Sequence, residues 1–334
     1  MDTVAFFDTK PYDLTWFDKL KTDYGINFKY LDNRLNADTA ILAGGCRGAV
    51  AFVNDDLDAE AIDNLINAGV EAVALRCAGF NNVDLRHADG RLRIFRVPAY
   101  SPNAVAEHAM ALLLCLNRKL HRAYNRVREY NFSLKGLEGF DLKNKTIGVV
   151  GTGKVGRTFI DICHGFGMEV LAYDPYPSDI PGVRFAPLYD LCRQSDVISL
   201  HCPLTRDSHH LINTETLDMM KQGVYIINTS RGALINSEAL LEAIKSGKVA
   251  GAGLDVYEEE SEFFYEDVSG SIIQDDKLKL LLSTPNVLVT SHQAFLTGEA
   301  LHNIAQVTLQ NLSDCFNGRA SGNEIIYNKM RALV

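Results

Sequence analysis

The chain has 334 residues, 47% of them hydrophobic and 22% charged, with 25 glycines and 9 prolines. That composition excludes a disordered, collagenous or low-complexity chain, and the length points to two domains of ordinary size. The net charge of −9 disfavours a nucleic-acid or anionic-membrane surface, although a single sheltered arginine could still meet a small anion.

The longest apolar run, 109–116, is far short of the roughly 20 residues that span a bilayer. The N-terminus has no basic stretch before an apolar core, so no secretory leader is expected. Seven cysteines are odd in number, scattered and never spaced as C-x-x-C, which suits reduced thiols and a cytoplasmic location.

In the first hundred residues, short apolar runs predict strands at 4–7, 28–30, 49–53, 72–76 and 93–97. Segment 58–67 lies between two of them, with apolar residues at 59, 61, 62, 65 and 66, a helical spacing. Strand–helix alternation implies a parallel sheet covered on both faces. The pattern changes at 98–102, where Ser101 can cap and Pro102 can open the most apolar helix of the chain. A helix apolar on more than one face is either buried or pressed against another subunit, and segment 101–120 is the expected contact of a homodimer or homotetramer.

A denser series follows, with strands expected at 146–150, 169–173, 196–200, 224–228, 251–254 and 287–290. An amphipathic stretch, 297–316, ends at Asn317-Gly318, and 319–334 reads as an irregular tail. The sharpest local signal is TIGVVGTGKVG at 146–156, a strand running into G-x-G-x-x-G and then a helix. Gly151 permits the tight turn, Gly153 lets backbone approach a pyrophosphate, and Gly156 lets the helix pack on the strand. The next strand ends in Asp174, 18 residues past Gly156, where a carboxylate accepts from ribose hydroxyls and repels a 2′-phosphate. NAD is the expected cofactor.

Three loops at strand ends carry groups suited to hydride transfer with a 2-keto acid, which needs a carboxylate clamp and a proton donor. Arg231 follows strand 224–228, an acidic run including Asp255 and Glu258–Glu260 follows 251–254, and His292 follows 287–290. His201 is the one other histidine at a strand end on this edge. Taken singly, Arg231 could be a helix-start ion pair, the glutamates a solvated run and His292 an ordinary edge residue. His201 and His209-His210 show no metal-ligand spacing, and no metal is expected.

These segments resemble the NAD-dependent D-2-hydroxyacid dehydrogenase family, nearest its bacterial fermentative D-lactate branch. The likeness runs essentially end to end through LRCAGFNNVD (75–84), VPAYSPNAVAEH (97–108), the glycine loop, HCPLT (201–205), NTSRGALI (228–235), LDVYE (254–258) and HQAFLT (292–297). The acidic insertion 261–276 also favours that branch. The resemblance implies two doubly wound α/β domains: a Rossmann NAD-binding domain, 101–294, inserted into a flavodoxin-like substrate domain, 1–100 and 295–334.

It makes Arg231, Glu260 and His292 the catalytic set, choosing Glu260 from the glutamate run. Substrate binding is implied for Ala78, Gly79, Phe52, Tyr100 and Phe295. Cofactor binding is implied for Gly151, Gly153, Lys154, Val155, Gly156, Asp174, Cys202, Pro203, Thr229, Ser230 and Asp255; Asp255 could instead cap the loop that follows it. The implied reaction is reversible NADH-dependent reduction of pyruvate to D-lactate. The alternatives are a larger 2-keto acid, such as phenylpyruvate or 2-ketoisocaproate, and more remotely an NAD-sensing corepressor-like scaffold.

Overall fold

The structure is a computed structural model and describes residues 1–260 and 263–327. Its contacts divide the chain into one unit of Met1–Ser101 plus the segment from Leu296 onward, and a second of Pro102–Phe295. Phe295, expected to open the returning segment, instead closes the second unit.

The first unit is built on five parallel strands: β1 (Asp2–Phe6), β2 (Ile26–Tyr30), β3 (Gly48–Ala51), β4 (Ala72–Leu75) and β5 (Arg93–Phe95), in the order β2-β1-β3-β4-β5. Every residue of β3 and β4 is buried, which is why they read as continuous apolar runs without alternation. Helix Ala59–Asn67 is capped by the Asp58 carboxylate, which accepts from Ala61 N at 2.8 Å. Helix Gly298–Phe316, capped by Thr297, returns to this sheet and buries Ile304, Leu309 and Leu312. It comes so close that a Cβ on Gly48 would sit 2.8 Å from the Phe316 ring, so β3 needs glycine there.

The second unit holds seven parallel strands: β6 (Thr146–Val150), β7 (Glu169–Tyr173), β8 (Val183–Phe185), β9 (Val197–Leu200), β10 (Val224–Asn228), β11 (Val249–Leu254) and β12 (Val287–Val289). Their order, β12-β11-β10-β9-β6-β7-β8, reverses direction at β6. This is the doubly wound arrangement, whose switch point, beside the carboxyl ends of β6 and β9, is where such sheets take nucleotides. Alternate residues feed separate cores: Ile147, Val149, Val197 and Ile227 join one cluster, Val150, Ile198, Leu200 and Ile226 the other. β8 escapes sequence reading because its three residues are all partly or fully exposed.

Helix Pro102–Arg118 spends its apolar surface inside this unit, against helix Lys154–Gly165 and strands β10–β12. A Cβ on Gly253 would lie 3.0 and 3.1 Å from Leu112 and Leu116, so the helix presses directly on the sheet. The exposed apolar side chains lie just beyond it: Leu120, Tyr124, Val127, Tyr130, Phe132 and Leu134.

In the tail, Glu324 bridges to Phe95 and grips Arg93 at 2.9 and 2.7 Å. Residues 328–334, and 261–262 of the acidic insertion, lie outside the described residues. No helix among the described residues is long and apolar enough to cross a membrane.

Candidate active site

β6 delivers the chain into the glycine turn. Gly151 has φ +94°, and a Cβ there would strike the backbone of His201 at 2.7 Å; one on Gly156 would lie 2.0 Å from the Gly151 carbonyl oxygen. Only glycine satisfies either position. Gly153, at the start of helix Lys154–Gly165, differs: a Cβ there would meet nothing within 4 Å. The open face and the amides at the helix start form a cradle for a phosphate.

Asp174, just past β7, accepts from Thr152 N at 2.7 Å, Thr152 Oγ1 at 2.9 Å and Tyr176 N at 2.9 Å. Burial alone would raise its carboxyl, but these donors hold it below the usual carboxylate range. Three bonds leave acceptor capacity for a ribose hydroxyl. Thr229, 7% exposed at the end of β10, has a buried hydroxyl with no hydrogen-bond partner. A carved phosphate cradle, an ionised acid and an orphaned hydroxyl fit a nicotinamide dinucleotide. Lys154 and Val155 open the cradle helix, while Cys202 and Pro203 follow β9 on the same edge.

The loop after β10 is fixed from within: Asn228 donates to Arg231 O at 2.8 Å, and Ser230 donates its amide to Asn228 Oδ1 at 3.0 Å and its hydroxyl to Cys202 O at 2.5 Å. A Cβ on Gly232 would lie 2.0 Å from the Tyr257 carbonyl, so this loop rests directly on the one after β11. Among the described residues, the Arg231 guanidinium makes one hydrogen bond, to Ser230 O at 2.7 Å, and no ion pair.

The three consecutive glutamates beyond β11 take three different partners. Glu258 pairs with His210 at 2.5 Å, Glu259 with Lys277 at 3.0 Å, and Glu260 with His292 Nδ1 at 2.9 Å. The other oxygen of Glu260 accepts from Tyr257 N at 2.9 Å, which fixes the carboxylate in its own turn. With Nδ1 held, His292 Nε2 has no partner among the described residues. His292 has φ +52°, a left-handed conformation costly outside glycine, and its amide donates to Asp255 O at 2.7 Å.

Asp255, expected at the cofactor, is also held within its own loops. Fully buried, it accepts at Oδ1 from Thr290 Oγ1 at 2.5 Å and Gln293 N at 2.9 Å, with His108 Nε2 at 3.3 Å, and at Oδ2 from Ala294 N at 2.8 Å. Burial would raise this carboxyl, but His108, Thr290 and Ala294 hold it low. Three partners meet Oδ1 and one meets Oδ2, so Asp255 ties down the His292 loop while Oδ2 keeps an acceptor site.

Sequence reasoning missed His108, although it ends one of the quoted motifs. It lies in helix Pro102–Arg118 and braces the loop through Asp255 and Thr290, the latter at 3.1 Å. His201 is a packing residue: its ring lies 4.7 Å from Phe159, Nε2 meets Ser199 at 2.9 Å, and burial pushes it down to about 3.

The residues implied for substrate binding divide between the units. Phe52 is 3% exposed with the Arg76 guanidinium 4.0 Å over its ring, the packing of a core aromatic. Ala78 and Gly79 lie beyond β4, with Ala78 O held by Arg96 at 3.1 Å, and Tyr100 O accepts from Asn303 at 2.7 Å. Phe295 is buried at the end of the second unit.

A doubly wound sheet with a phosphate cradle, an acid past its second strand, a carboxylate-held histidine at one strand end and, at another, an arginine with no ion pair among the described residues defines a nicotinamide-dependent oxidoreductase. Comparison with known proteins narrows the class. Residues 110–294 match the model of the D-isomer specific 2-hydroxyacid dehydrogenase, NAD binding domain. The chain is 49% identical over 327 residues to D-lactate dehydrogenase of Escherichia coli strain K12, covering 97% of this chain and 99% of that one. It superimposes on the apo-structure of D-lactate dehydrogenase from Escherichia coli with TM-score 0.89 at 47% identity, covering 97% and 100%. It also matches the structure of the pyruvate reductase of Chlamydomonas reinhardtii, with TM-score 0.91 at 43% identity, covering 97% and 98%. The chain belongs to the D-isomer specific 2-hydroxyacid dehydrogenase family and carries its NAD-binding domain.

Proposed function

We propose that this chain catalyses the reversible reduction of pyruvate to D-lactate with NADH, using Arg231, Glu260 and His292. The observation that carries the reading is the His292–Glu260 pair, with one imidazole nitrogen held and the other without a partner among the described residues, and with the Arg231 loop resting on the turn that carries Glu260. The 49% identity to D-lactate dehydrogenase of E. coli supports pyruvate over a larger acid.

Arg231 pairs its fork with the substrate carboxylate and fixes C2. Bound NADH supplies the hydride that reduces C2. His292 gives its Nε2 proton to the carbonyl oxygen as that oxygen gains charge, and Glu260 orients the ring and favours the imidazolium. In lactate oxidation the neutral imidazole takes the hydroxyl proton instead. Ala78, Gly79, Tyr100 and Phe295 serve substrate binding, and Phe52 serves it by packing. Gly151, Gly153, Lys154, Val155 and Gly156 would hold the pyrophosphate and Asp174 the ribose, with Cys202, Pro203, Thr229, Ser230 and Asp255 along the rest of NAD. On this reading the unit 102–295 is the NAD-binding domain and the other is the substrate domain.

Free cysteines throughout the described chain support a cytoplasmic location. The exposed apolar run 120–134, rather than helix Pro102–Arg118, suits the contact of a homo-oligomer.

The test is NADH oxidation with pyruvate, phenylpyruvate and 2-ketoisocaproate, followed by assay of the product with a D-specific enzyme. D-lactate is expected, with pyruvate ahead by about tenfold or more in kcat/KM. An L-product, or pyruvate losing by that margin, overturns the reading.

A further inference from the structure

The described residues bring one further set of metal-binding side chains together, away from His292. His209, His210 and Glu258 each offer a ligand atom, and these atoms all lie within 4.8 Å of one another. The two histidines follow β9 and the glutamate lies 48 residues beyond His210, so no local spacing announces the group.

Neighbours in an extended chain send side chains to opposite sides. Here His210 has φ +50°, and the two rings lie together, centroids 3.9 Å apart and planes 32° from parallel. The turn is well fixed: His210 N donates to Ala233 O at 2.8 Å, and Asn213 donates to His210 O at 3.0 Å. His210 Nε2 meets Glu258 Oε1 at 2.5 Å, while Glu258 Oε2 accepts from Ser237 N at 3.2 Å. Two ligands are therefore pre-positioned by the backbone, and the third, on the exposed His209, can swing.

We propose that His209, His210 and Glu258 form a binding site for a divalent first-row transition cation of the Zn2+ type. Two imidazoles and one carboxylate are a borderline donor set that suits zinc and disfavours calcium or magnesium, which take oxygen. The cation takes the place of the proton shared by His210 and Glu258, and water completes the tetrahedron. Metal–ligand bonds of about 2.0–2.2 Å set tetrahedral ligand atoms roughly 3.4 Å apart, so His210 Nε2 and Glu258 Oε1 must part by roughly an ångström while the ligand nitrogen of the exposed His209 closes in. Occupancy would fasten the segment after β9 to the turn after β11, two residues upstream of Glu260.

The experiment is equilibrium dialysis of the full-length, chelator-stripped, reduced protein against Zn2+, with Co2+ as a spectroscopic substitute. One equivalent bound in the micromolar range is expected, with a cobalt spectrum lacking thiolate charge transfer. His209→Ala leaves the His210–Glu258 pair and the activity in place, and Glu258→Gln removes the carboxylate; each is expected to weaken binding by at least about tenfold. The proposal fails if the wild type binds no stoichiometric Zn2+, if both variants bind as tightly as wild type, or if cobalt reports thiolate ligation. None of these readouts depends on which acid the enzyme reduces.

Discussion

Arg76 and Arg231 hold equivalent places, each just past the carboxyl end of a strand in a parallel sheet, yet they are used in opposite ways. Arg76 follows β4 and is 2% exposed. It donates to Asp8 O at 2.8 Å, lies 3.8 and 3.5 Å from the carboxylates of Asp8 and Asp13, and stacks on Phe52, although its Nε has no hydrogen-bond partner. Beside it, Asp55 accepts the amides of Leu35 and Phe52 at 2.7 and 2.6 Å. The charges of that edge answer one another and hold the sheet's loops together. Among the described residues, Arg231 holds only a neighbouring carbonyl, and His292 keeps one nitrogen open. Residue type and place in the fold do not separate a structural cluster from a reactive one; bonding capacity left open on a partly exposed side chain does, whereas the unpartnered Nε of Arg76 is sealed in.

Arg231→Ala should break that contrast most visibly. Losing two charge-assisted bonds to the substrate carboxylate should lower kcat/KM for pyruvate by roughly 10³-fold, with little change in melting temperature. A loss under about threefold would mean that Arg231 is no clamp. Arg76→Met should do the reverse. It strands Asp8 and Asp13 in a buried site and should cost about 3–5 kcal/mol of stability by urea unfolding, while turnover per folded molecule falls far less. An unchanged urea midpoint would show that the Arg76 cluster is not structural.

The same distinction marks how far the sequence could be read. Strands β6, β7 and β10 have the expected limits because buried parallel strands are continuous apolar runs. β8 was invisible because an exposed edge strand needs no such run. The glycine loop was legible because steric demand at Gly151 and Gly156 fixes residue type locally. The bracing of Asp255 was not legible because its partners, His108, Thr290 and Ala294, come from segments that no local pattern joins to it. Arg76 passed unnoticed and His209-His210 was dismissed for the same reason. The glutamate run shows the limit most plainly: composition could not rank Glu258, Glu259 and Glu260, and only tertiary placement gives each a different partner.

Glu260→Gln sharpens the comparison within that run. It keeps the shape but removes the charge that favours the imidazolium, so pyruvate reduction should slow by about 10–100-fold. Glu259→Gln should change the rate by less than about twofold, since Glu259 only meets Lys277 at the surface. Equal losses in both variants would remove the special standing of Glu260.

His201 carries the smallest effect and separates a structural histidine from a working one. Burial pushes its imidazole down to about 3, whereas in an unfolded chain it titrates near ~6.5. The native state therefore refuses a proton that the unfolded chain accepts. The stability this represents is fully present above pH ~6.5 and is lost as pH falls toward the folded value. Across that window His201 contributes ~1.4 kcal/mol per pH unit to acid destabilisation. His201→Gln cannot take up the proton, so its unfolding free energy should fall less steeply than wild type between about pH 6 and 4, by that one-proton slope. Parallel slopes would mean that the ring titrates as a solvated histidine does. Its Nδ1, buried without a hydrogen-bond partner in the folded chain, would then be reached by solvent, and burial would no longer set His201 apart from His292.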